Sequence, residues 1–273
     1  MSPTQQEKYR TFKELHERAG AFVIPNPWNA GTAKILTSLG FEALATTSAG
    51  IAFSLGRQDG LAALTREETL ANCREIVDAS DLPVSADLED GFGAAPENCV
   101  ETIQWAIEAG LVGGSIEDAT GDPENPIYDF ELAVERIHAA SEACQGQPFL
   151  LTARSENFIR GRLDLDDTIR RLQAFERAGA DVLYAPGLPD LNAIKAVCDA
   201  VSKPVNVVMG LVGVTFSVDE LAEAGVKRVS VGGSMARAAL GGLMEAATEI
   251  KERGTFTYGD RALSNKVAND LMS

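Results

Sequence analysis

Short apolar runs alternate along the chain with longer stretches in which apolar residues recur every three or four positions. The short runs are typical of buried β-strands, and the longer stretches are typical of amphipathic α-helices. The pattern predicts eight strands, over residues 21–25, 42–47, 83–89, 112–118, 148–155, 181–186, 204–210 and 226–232. It predicts nine helices, over residues 4–18, 29–39, 65–79, 96–109, 129–143, 165–178, 189–200, 217–223 and 234–250.

A strand is followed by a helix eight times, after one extra helix at the N-terminus, and no Pro/Gly/Ser-rich linker separates the units. This alternation predicts an α/β protein with a single (β/α)8 barrel of the TIM type, as one domain over residues 1–273. An open, doubly wound sheet is the alternative fold. That fold favours a GxGxxG turn after its first strand, whereas residues 25–33 read PNPWNAGTA.

The net charge of the chain limits the kinds of partner that it is expected to bind. The chain of 273 residues has 24 Lys and Arg against 40 Asp and Glu, which gives a net charge of −16. Nucleic-acid binding depends on clustered basic residues, and an anionic membrane surface repels an acidic protein, so we expect neither partner. With 45% hydrophobic and 23% charged residues, the composition is that of a globular protein.

The cysteines and the N-terminal sequence indicate a compartment. The four cysteines are far apart, form no CxxC pair and fall mostly in predicted helices, at positions 73, 99, 144 and 198. This spacing favours free thiols over a disulfide framework. The first 20 residues carry charges throughout and have no apolar core, unlike a secretory signal. We therefore expect a cytoplasmic protein.

Acidic side chains collect at the C-terminal ends of two predicted strands, where (β/α)8 barrels build their active sites. Asp87 and Glu89 share one face of the third strand because strand side chains alternate, and Glu117 ends the fourth. Three neighbouring carboxylates repel one another unless a cation lies between them. Oxygen ligands of this kind suit Mg²⁺, and also Mn²⁺. The alternative is that these carboxylates cap the following helices or are solvated.

Arg154, in LTARSENF, is the one cation predicted on a strand facing this acidic cluster. It either balances the carboxylates or holds a substrate carboxylate or a developing oxyanion. His16 and His138 fall in predicted helices, and no lysine lies in the C-terminal half of a strand. A zinc site, a histidine base and a Schiff base are therefore disfavoured. The glycines of SVGGSMARA (230–238) either bind a phosphate or allow close packing.

Five strand-end segments carry a family resemblance. They are ATTSAGIAFSLGRQDG (45–60), PVSADLEDGFG (83–93), VGGSIEDAT (112–120), LTARSENF (151–158) and AGADVLYAPG (178–187). Together, and in this order, they resemble the isocitrate lyase/phosphoenolpyruvate mutase superfamily over nearly the whole chain. The resemblance implies a Mg²⁺-dependent enzyme that cleaves a carbon–carbon bond of a small 2-oxo or 2-hydroxy (di)carboxylate, through a metal-stabilised enolate.

The resemblance also implies roles for individual residues. Asp87 corresponds to the principal metal ligand, with Glu89 and Glu117 binding the ion directly or through water. Asp59, in the GRQDG loop, corresponds to an acidic residue near metal and substrate, and Arg154 to the arginine on the enolate side. The implied substrate-binding positions are Thr47, Ser48, the amide of Ala49, Asn206 and Asn125.

The chain departs from the family's lyases at two places. Their loop after the fourth strand carries a KKCGH-like motif with an acidic Cys, whereas residues 117–129 here read EDATGDPENPIYD, without Cys, Lys or His. The tyrosine that precedes their substrate-binding turn is replaced by Ala45. A decarboxylation needs little from that loop, because solvent can supply the proton. Two alternatives are phosphorus–carbon chemistry like that of phosphoenolpyruvate mutase or phosphonopyruvate hydrolase, with Asn125 in the loop, and a silent carboxylate-binding homologue.

The last predicted barrel helix has small and apolar residues on more than one face, in MARAALGGLMEAATEI (235–250). A helix that only covers a barrel needs a single apolar stripe, so we expect a partner subunit here. The resemblance implies a homotetramer in which this C-terminal helix is exchanged between subunits.

Overall fold

The computed structural model describes residues 2–60, 63–211, 213 and 215–273, and its centre is one parallel sheet of eight strands. The strands are β1 (Phe22–Ile24), β2 (Leu44–Ala45), β3 (Val84–Asp87), β4 (Gly113–Glu117), β5 (Leu150–Arg154), β6 (Val182–Tyr184), β7 (Val205–Val208) and β8 (Arg228–Ser230). Their order in the sheet is β1-β8-β7-β6-β5-β4-β3-β2. The eight predicted strands are confirmed, each shorter than the apolar run that predicted it.

The sheet curls into a nearly closed barrel. The first strand pairs with the last, Phe22 opposite Arg228. The remaining gap, between β1 and β2, is bridged by the Ala45 amide, which donates to the Pro25 carbonyl at 3.0 Å. A closed parallel sheet with helices around it is the (β/α)8 architecture that the sequence predicted, rather than an open doubly wound sheet.

Eleven α-helices are present in the described part of the chain. They are α1 (Gln5–Glu17), α2 (Ala30–Ser38), α3 (Ser48–Ser54), α4 (Arg66–Asp78), α5 (Pro96–Glu108), α6 (Phe130–Cys144), α7 (Leu165–Arg177), α8 (Leu191–Ala200), α9 (Val218–Glu223), α10 (Ser234–Arg253) and α11 (Asn265–Met272). The nine predicted helices are confirmed. The periodicity missed α3, α11 and a 3-10 turn at Thr257–Arg261, because these segments are too short to show a repeating apolar stripe.

Helix α1 closes the N-terminal mouth of the barrel. Phe12 and Leu15 form one buried cluster with residues at the starts of four strands, namely Phe22, Ala43, Val112 and Leu150. Gly113 permits the close approach, since a Cβ there would lie 2.9 Å from the Phe12 ring. The extra N-terminal helix is thus a structural plug on the face that (β/α)8 barrels use for stability.

His16 of α1 lies beside the buried Arg228. Its Nδ1 lies 2.7 Å from the Phe12 carbonyl oxygen, and its Nε2 lies 3.5 Å from Nη1 of Arg228. Burial, reinforced by the Arg228 guanidinium, lowers the pKa of His16 to about 3. Burial also lowers the pKa of Arg228 to about 10. The imidazole is therefore neutral in the folded protein at ordinary pH.

Two further expectations concern cysteines and membranes. All four cysteines are free thiols, Cys73 and Cys99 fully buried. Across the described residues, no helix is both long enough and apolar enough to cross a bilayer.

His16 should make stability depend on pH. An unfolded histidine titrates near pH 6.5, so between about pH 6.5 and 3 the unfolded chain binds more protons than the folded one. The free energy of unfolding therefore falls as the pH drops through this window. From pH 7 to pH 5 the loss should be about 2 kcal/mol. We expect the free energy of unfolding of His16→Gln, measured by urea denaturation at pH 7 and pH 5, to lack this loss of about 2 kcal/mol.

His138→Gln is the matched control, because His138 is exposed on α6, where it lies 3.7 Å from Glu142. It should keep the pH dependence of the unmodified protein. Equal pH dependence in the unmodified protein and His16→Gln would contradict the prediction.

Candidate active site

A cavity of about 280 Å³ opens at the C-terminal ends of the strands. It combines five carboxylates and two guanidinium groups with the glycine turn after β8 and the turn after β2. Its lining residues are Thr47, Ser48, Ala49, Asp59, Gly60, Asp87, Glu89, Glu117, Arg154, Glu156, Ile159, Arg160, Tyr184, Val208, Leu211, Gly232 and Gly233. The sequence-predicted residues Asp59, Asp87, Glu89, Glu117, Arg154 and Thr47–Ala49 are thus brought together.

Strand register places the central residues in one row across the barrel. Glu117 pairs in register with Arg154, and Arg154 with Tyr184. The row continues from Tyr184 to Asn206 and from Asn206 to Arg228. Residues in register on parallel strands project from the same face, so these five polar side chains form one continuous row inside the barrel.

Arg154 is the electrostatic centre of the site. Its Nη1 lies 3.3 Å from Glu117 Oε2 and 3.8 Å from Asp87 Oδ1, and its Nε donates to Glu156 Oε1. The guanidinium carbon lies 5.0 Å from the centre of the Tyr184 ring. Burial alone would lower the pKa of Arg154, but the surrounding carboxylates, Glu117 first, outweigh it and raise that pKa. The arginine is therefore a permanent, oriented cation.

The carboxyl groups around Arg154 are crowded. Burial raises the pKa of Glu117 well above its usual value, and the negative charges of Glu156 and Asp87 add to the effect. Burial and Asp87 likewise raise the pKa of Asp59. Burial is the larger cause of both shifts, and like charges held close together add to it. In the described lining of the cavity, five carboxylates face two guanidinium groups.

Asp87 is tied to the turn after β2. Its Oδ2 accepts hydrogen bonds from the Ser48 hydroxyl at 2.8 Å and from the Ser48 amide at 3.2 Å. Thr47 caps α3, its hydroxyl accepting from the Gly50 amide at 3.4 Å. This cap starts the unpredicted helix α3 and fixes the turn beside the carboxylate.

Glu89 lines the cavity from a turn after β3 and not from the strand itself. The strand ends at Asp87, and Glu89 adopts a left-handed backbone conformation with φ +49°. Its carbonyl accepts from the Glu117 amide at 2.9 Å, which ties the end of β3 to the end of β4. The expectation that Asp87 and Glu89 share a strand face is wrong, because a turn and not a pleat places Glu89.

The donor set fits a small divalent cation. Among the described residues, no group of three acidic, histidine or cysteine side chains is close enough to enclose a metal ion by itself. Mg²⁺ characteristically binds through one or two carboxylates and keeps several waters. Asp87, Glu89 and Glu117 supply only oxygen donors around one cavity. Such a set suits a partly hydrated Mg²⁺ or Mn²⁺ ion.

Two sequence-predicted positions lie away from this cavity. Asn206 is buried beneath it, where it lines a smaller space of about 60 Å³, donates to Ser230 Oγ and accepts from Arg228 Nε. Asn125 lies in the exposed loop after β4, where its side chain donates to Asp122 at 3.3 Å. The cavity therefore takes shape without either side chain on its wall.

Among the polar side chains of the cavity, Arg160 and Tyr184 were not singled out from the sequence, and Glu156 was placed at the end of the fifth strand without a role. Arg160 Nη2 lies 3.5 Å from Glu117 Oε1, and its Nε lies 3.3 Å from Glu156 Oε2. Arg160 and Glu156 belong to the loop after β5, which strand periodicity does not cover. Tyr184 is at the end of β6, so its place in the strand pattern was the one available signal.

A buried ion-pair network supports the loop after β5. Arg171 of α7 donates to Asp118 Oδ2 at 3.2 Å, to Asp167 Oδ2 at 2.9 Å and to the Tyr128 carbonyl at 3.0 Å. Asp118 in turn accepts from the Glu156 amide at 2.8 Å. Burial raises the pKa of Asp118 to about 6. Arg171 thereby connects the loops after β4 and β5.

The sequence profile of the phosphoenolpyruvate phosphomutase family matches residues 12–251. The chain belongs to the isocitrate lyase/phosphoenolpyruvate mutase superfamily. The 2-methylisocitrate lyase of Escherichia coli (strain K12) is 31% identical over 227 residues, which are 80% of this chain and 75% of that protein. The superfamily assignment made from the strand-end motifs is confirmed.

Solved structures agree with the assignment. A protein from Burkholderia cenocepacia J2315, provisionally described as a lyase/mutase, has a TM-score of 0.96 and 56% identity, covering 98% of this chain and 96% of that chain. The 2,3-dimethylmalate lyase structure has a TM-score of 0.87 and 25% identity, covering 97% of this chain and 95% of that chain. The chain is thus an enzyme of the isocitrate lyase/phosphoenolpyruvate mutase type.

In this superfamily member the Arg171 network should be essential for stability. Arg171→Met leaves Asp118 buried without its cation, and breaking a buried pair in this way costs about 3–5 kcal/mol. Arg170→Met is the matched control, because Arg170 is the preceding residue, is mostly exposed and also pairs with Asp167. We expect the control to change the free energy of unfolding by less than about 1 kcal/mol. Urea denaturation measures both, and equal effects would contradict the assigned role of Arg171.

Proposed function

We propose that this enzyme cleaves a carbon–carbon bond of a small 2-oxo or 2-hydroxy (di)carboxylate, as a Mg²⁺-dependent lyase or decarboxylase. The observation that carries the proposal is the Arg154 guanidinium, held between Glu117 and Glu156 in the wall of a cavity of about 280 Å³. The volume is below the roughly 300–1,000 Å³ of pockets for drug-sized ligands, which favours a substrate of a few carbons. The lyase relatives support the same reaction class.

Asp87 would hold the metal ion, with Glu89 and Glu117 binding it directly or through water. When bound, Mg²⁺ supplies a Lewis acid that polarises the oxygen next to the bond that breaks. The Ser48 hydroxyl and amide already orient Asp87 for this role. The turn Thr47–Ala49 adjoins Asp87, and there the Thr47 hydroxyl and the Ala49 amide would bind the substrate carboxylate.

Arg154 stabilises the charge that develops during the reaction. As the carbon–carbon bond breaks, its electron pair moves toward the neighbouring carbonyl carbon, and negative charge grows on the oxygen of the resulting enolate. A guanidinium that already faces the cavity needs no reorganisation to donate to that oxygen, so its contribution is greatest in the transition state. From a 2-oxo acid the leaving fragment is carbon dioxide. From a 2-hydroxy acid it is a carbonyl compound, formed as the hydroxyl proton passes to solvent.

The enolate then takes up a proton at carbon. The loop at residues 117–129 carries no Cys, Lys or His to donate it. Asp59 lines the cavity, and partial burial together with the charge of Asp87 raises the pKa of its carboxyl. We assign Asp59 the role of passing a proton from solvent to the product side of the site.

Phosphorus–carbon chemistry is the second candidate. The matching profile is that of the phosphoenolpyruvate phosphomutase family, and Gly232 and Gly233 line the cavity in a turn that leads into α10. No basic side chain other than Arg154 and Arg160 lines the described part of the cavity, so a phosphoryl group would depend on those two. This arrangement favours carboxylate over phosphonate substrates.

A substrate screen tests the proposal. The enzyme with Mg²⁺ is incubated with a panel of 2-oxo and 2-hydroxy acids, and products are followed by ¹H NMR. We expect turnover of at least one acid, with a loss of more than about a hundredfold in Asp87→Ala. Titration with Mn²⁺ followed by EPR should show a comparable loss of metal affinity. Asp199→Ala is the control, because Asp199 lies on the surface of α8, where it pairs with Lys195.

Three outcomes would contradict the proposal. Full activity in Asp87→Ala would remove the metal site from these carboxylates. Conversion of phosphonopyruvate in ³¹P NMR, with no turnover of the carboxylic acids, would favour the second candidate. Binding of an acid without any turnover would identify a silent carboxylate-binding homologue.

We also propose that the enzyme is a cytoplasmic homotetramer that exchanges α10. Of its 20 residues only Ala236 and Glu249 are buried, while Leu243 and Met244 are 66% and 69% exposed. Apolar side chains presented in this density favour burial against another subunit. The four free thiols favour a reducing compartment.

Light scattering after gel filtration tests the assembly. We expect a mass four times that of the 29.0 kDa chain. Leu243→Glu combined with Met244→Glu should shift the mass to smaller species, because the substitutions place charge in the proposed interface. Val218→Glu, at an exposed apolar position on α9, should keep the tetramer. A monomeric unmodified protein would contradict the proposal.

A further inference from the structure

The Arg160 guanidinium lines the cavity, and its N–H donors make only long contacts with the described residues. Its side chain is 32% exposed, and its closest charged partners, Glu117 and Glu156, lie at 3.5 and 3.3 Å. These separations are longer than the roughly 2.7–2.9 Å of a strong charge-assisted hydrogen bond. Within the described residues the Arg160 side chain makes no hydrogen bond, whereas Arg154 donates to Glu156. Arg160 therefore keeps donors for a ligand.

The turn that carries Arg160 is fixed in place. The Arg160 amide donates to the Glu156 carbonyl at 3.0 Å, and the Arg162 amide donates to the Asn157 carbonyl at 2.8 Å. Asn157 is fully buried, and its side chain donates to Asp167 and Thr168 on α7. A ligand would thus meet a preorganised arginine, which lowers the entropy cost of binding.

The barrel places Arg160 across the cavity from the turn Thr47–Ala49. That turn follows β2, and Arg160 follows β5, three strands further round a barrel of eight. Several side chains lie between them. Ser48 donates to Asp87, and Asp87 lies 3.8 Å from Arg154. Arg154 in turn lies 3.3 Å from Glu117, which Arg160 approaches to 3.5 Å. A carboxylate bound at the turn is not the group that Arg160 meets.

The charges that line the cavity also limit where a second carboxylate of a substrate can bind. The described lining includes five carboxylates but only two cations, Arg154 and Arg160. A second anionic group on the substrate is repelled from most of this wall. Because Arg154 serves the oxygen beside the breaking bond, Arg160 is the remaining place where a second carboxylate is stabilised.

We propose that Arg160 is the specificity-determining residue that binds the distal carboxylate of a dicarboxylate substrate. The inference rests on the proposed function, since it assumes that a 2-oxo or 2-hydroxy acid occupies the cavity. The planar guanidinium matches a carboxylate with two parallel N–H donors. A residue that only balanced the charges of Glu117 and Glu156 would affect all acids alike.

A pair of ligands that differ only at the distal end separates these roles. Malate and 2-hydroxybutyrate share the 2-hydroxy acid group, and a methyl group in the second replaces the distal carboxylate of the first. Their affinities for the Mg²⁺-loaded enzyme are measured by isothermal titration calorimetry. We expect Arg160→Ala to weaken malate binding by roughly tenfold to a hundredfold and 2-hydroxybutyrate binding by less than about twofold.

Arg162→Ala is the matched control, because Arg162 lies on the same turn, is not among the described lining residues of the cavity, and approaches Asp167 at 3.8 Å. It should leave both affinities unchanged. Arg160→Lys should recover part of the malate affinity, since it keeps the charge but loses the planar fork. Circular dichroism verifies that each variant is folded.

Equal weakening of both ligands in Arg160→Ala would overturn the assignment, as would unmodified enzyme that binds the two ligands equally well. If neither ligand binds while other 2-oxo acids are turned over, the proposed function stands and a four-carbon dicarboxylate site at Arg160 is rejected. If no acid of either class binds, the proposed function itself fails, and the role of Arg160 fails with it.

Discussion

The active-site end of this barrel depends on a balance between buried carboxylates and two arginines. Parallel strands deliver their C-terminal residues to one edge, so Asp87, Glu117 and Arg154 arrive together whatever the loops do. Without the guanidinium between them, the carboxylates would repel one another in a medium that screens charge poorly. Arg154 therefore stabilises the fold at this edge, and the same placement makes it available to a developing oxyanion.

The register row from Glu117 to Arg228 connects the site to the base of the barrel. Tyr184 lies between the two buried arginines in this row, with Arg154 over its ring and Asn206 beside it in register. Asn206 accepts from Arg228, which also donates to Thr152. Hydrogen bonds to neutral groups satisfy Arg228 near the plugged mouth, whereas carboxylates surround Arg154 near the open one. The barrel thus places one arginine among neutral partners near its closed end and another among carboxylates near its open end.

The sequence alone predicted the eight strands, the barrel and most of the charged residues of the site. These follow from the repeating apolar pattern and from the rule that barrel strands deliver side chains at their C-terminal ends. It did not predict the left-handed turn at Glu89, the loop position of Arg160 or the short helix α3. The turn at Glu89 depends on a contact between segments distant in sequence, the Glu117 amide on the Glu89 carbonyl, which no local pattern encodes. Helix α3 is too short to show a repeating apolar stripe, and Arg160 lies in a loop that strand periodicity does not cover.

The loop after β4 argues for chemistry that needs no protein acid at that position. Its two ends are held together, since the Tyr128 amide donates to the Asp118 carbonyl at 2.8 Å and Ala119 bridges to Ile127. Asp118 and Tyr128 are also both bonded to Arg171, one through its side chain and the other through its carbonyl. A loop anchored in this way presents only its exposed tip, residues 120–125, which carries carboxylates, an amide and no thiol or amine. Movement of that tip would bring more negative charge, but no cationic acid, toward an anionic intermediate. The loop therefore agrees with the proposed reaction, in which the enolate takes its proton from the solvent side by way of Asp59.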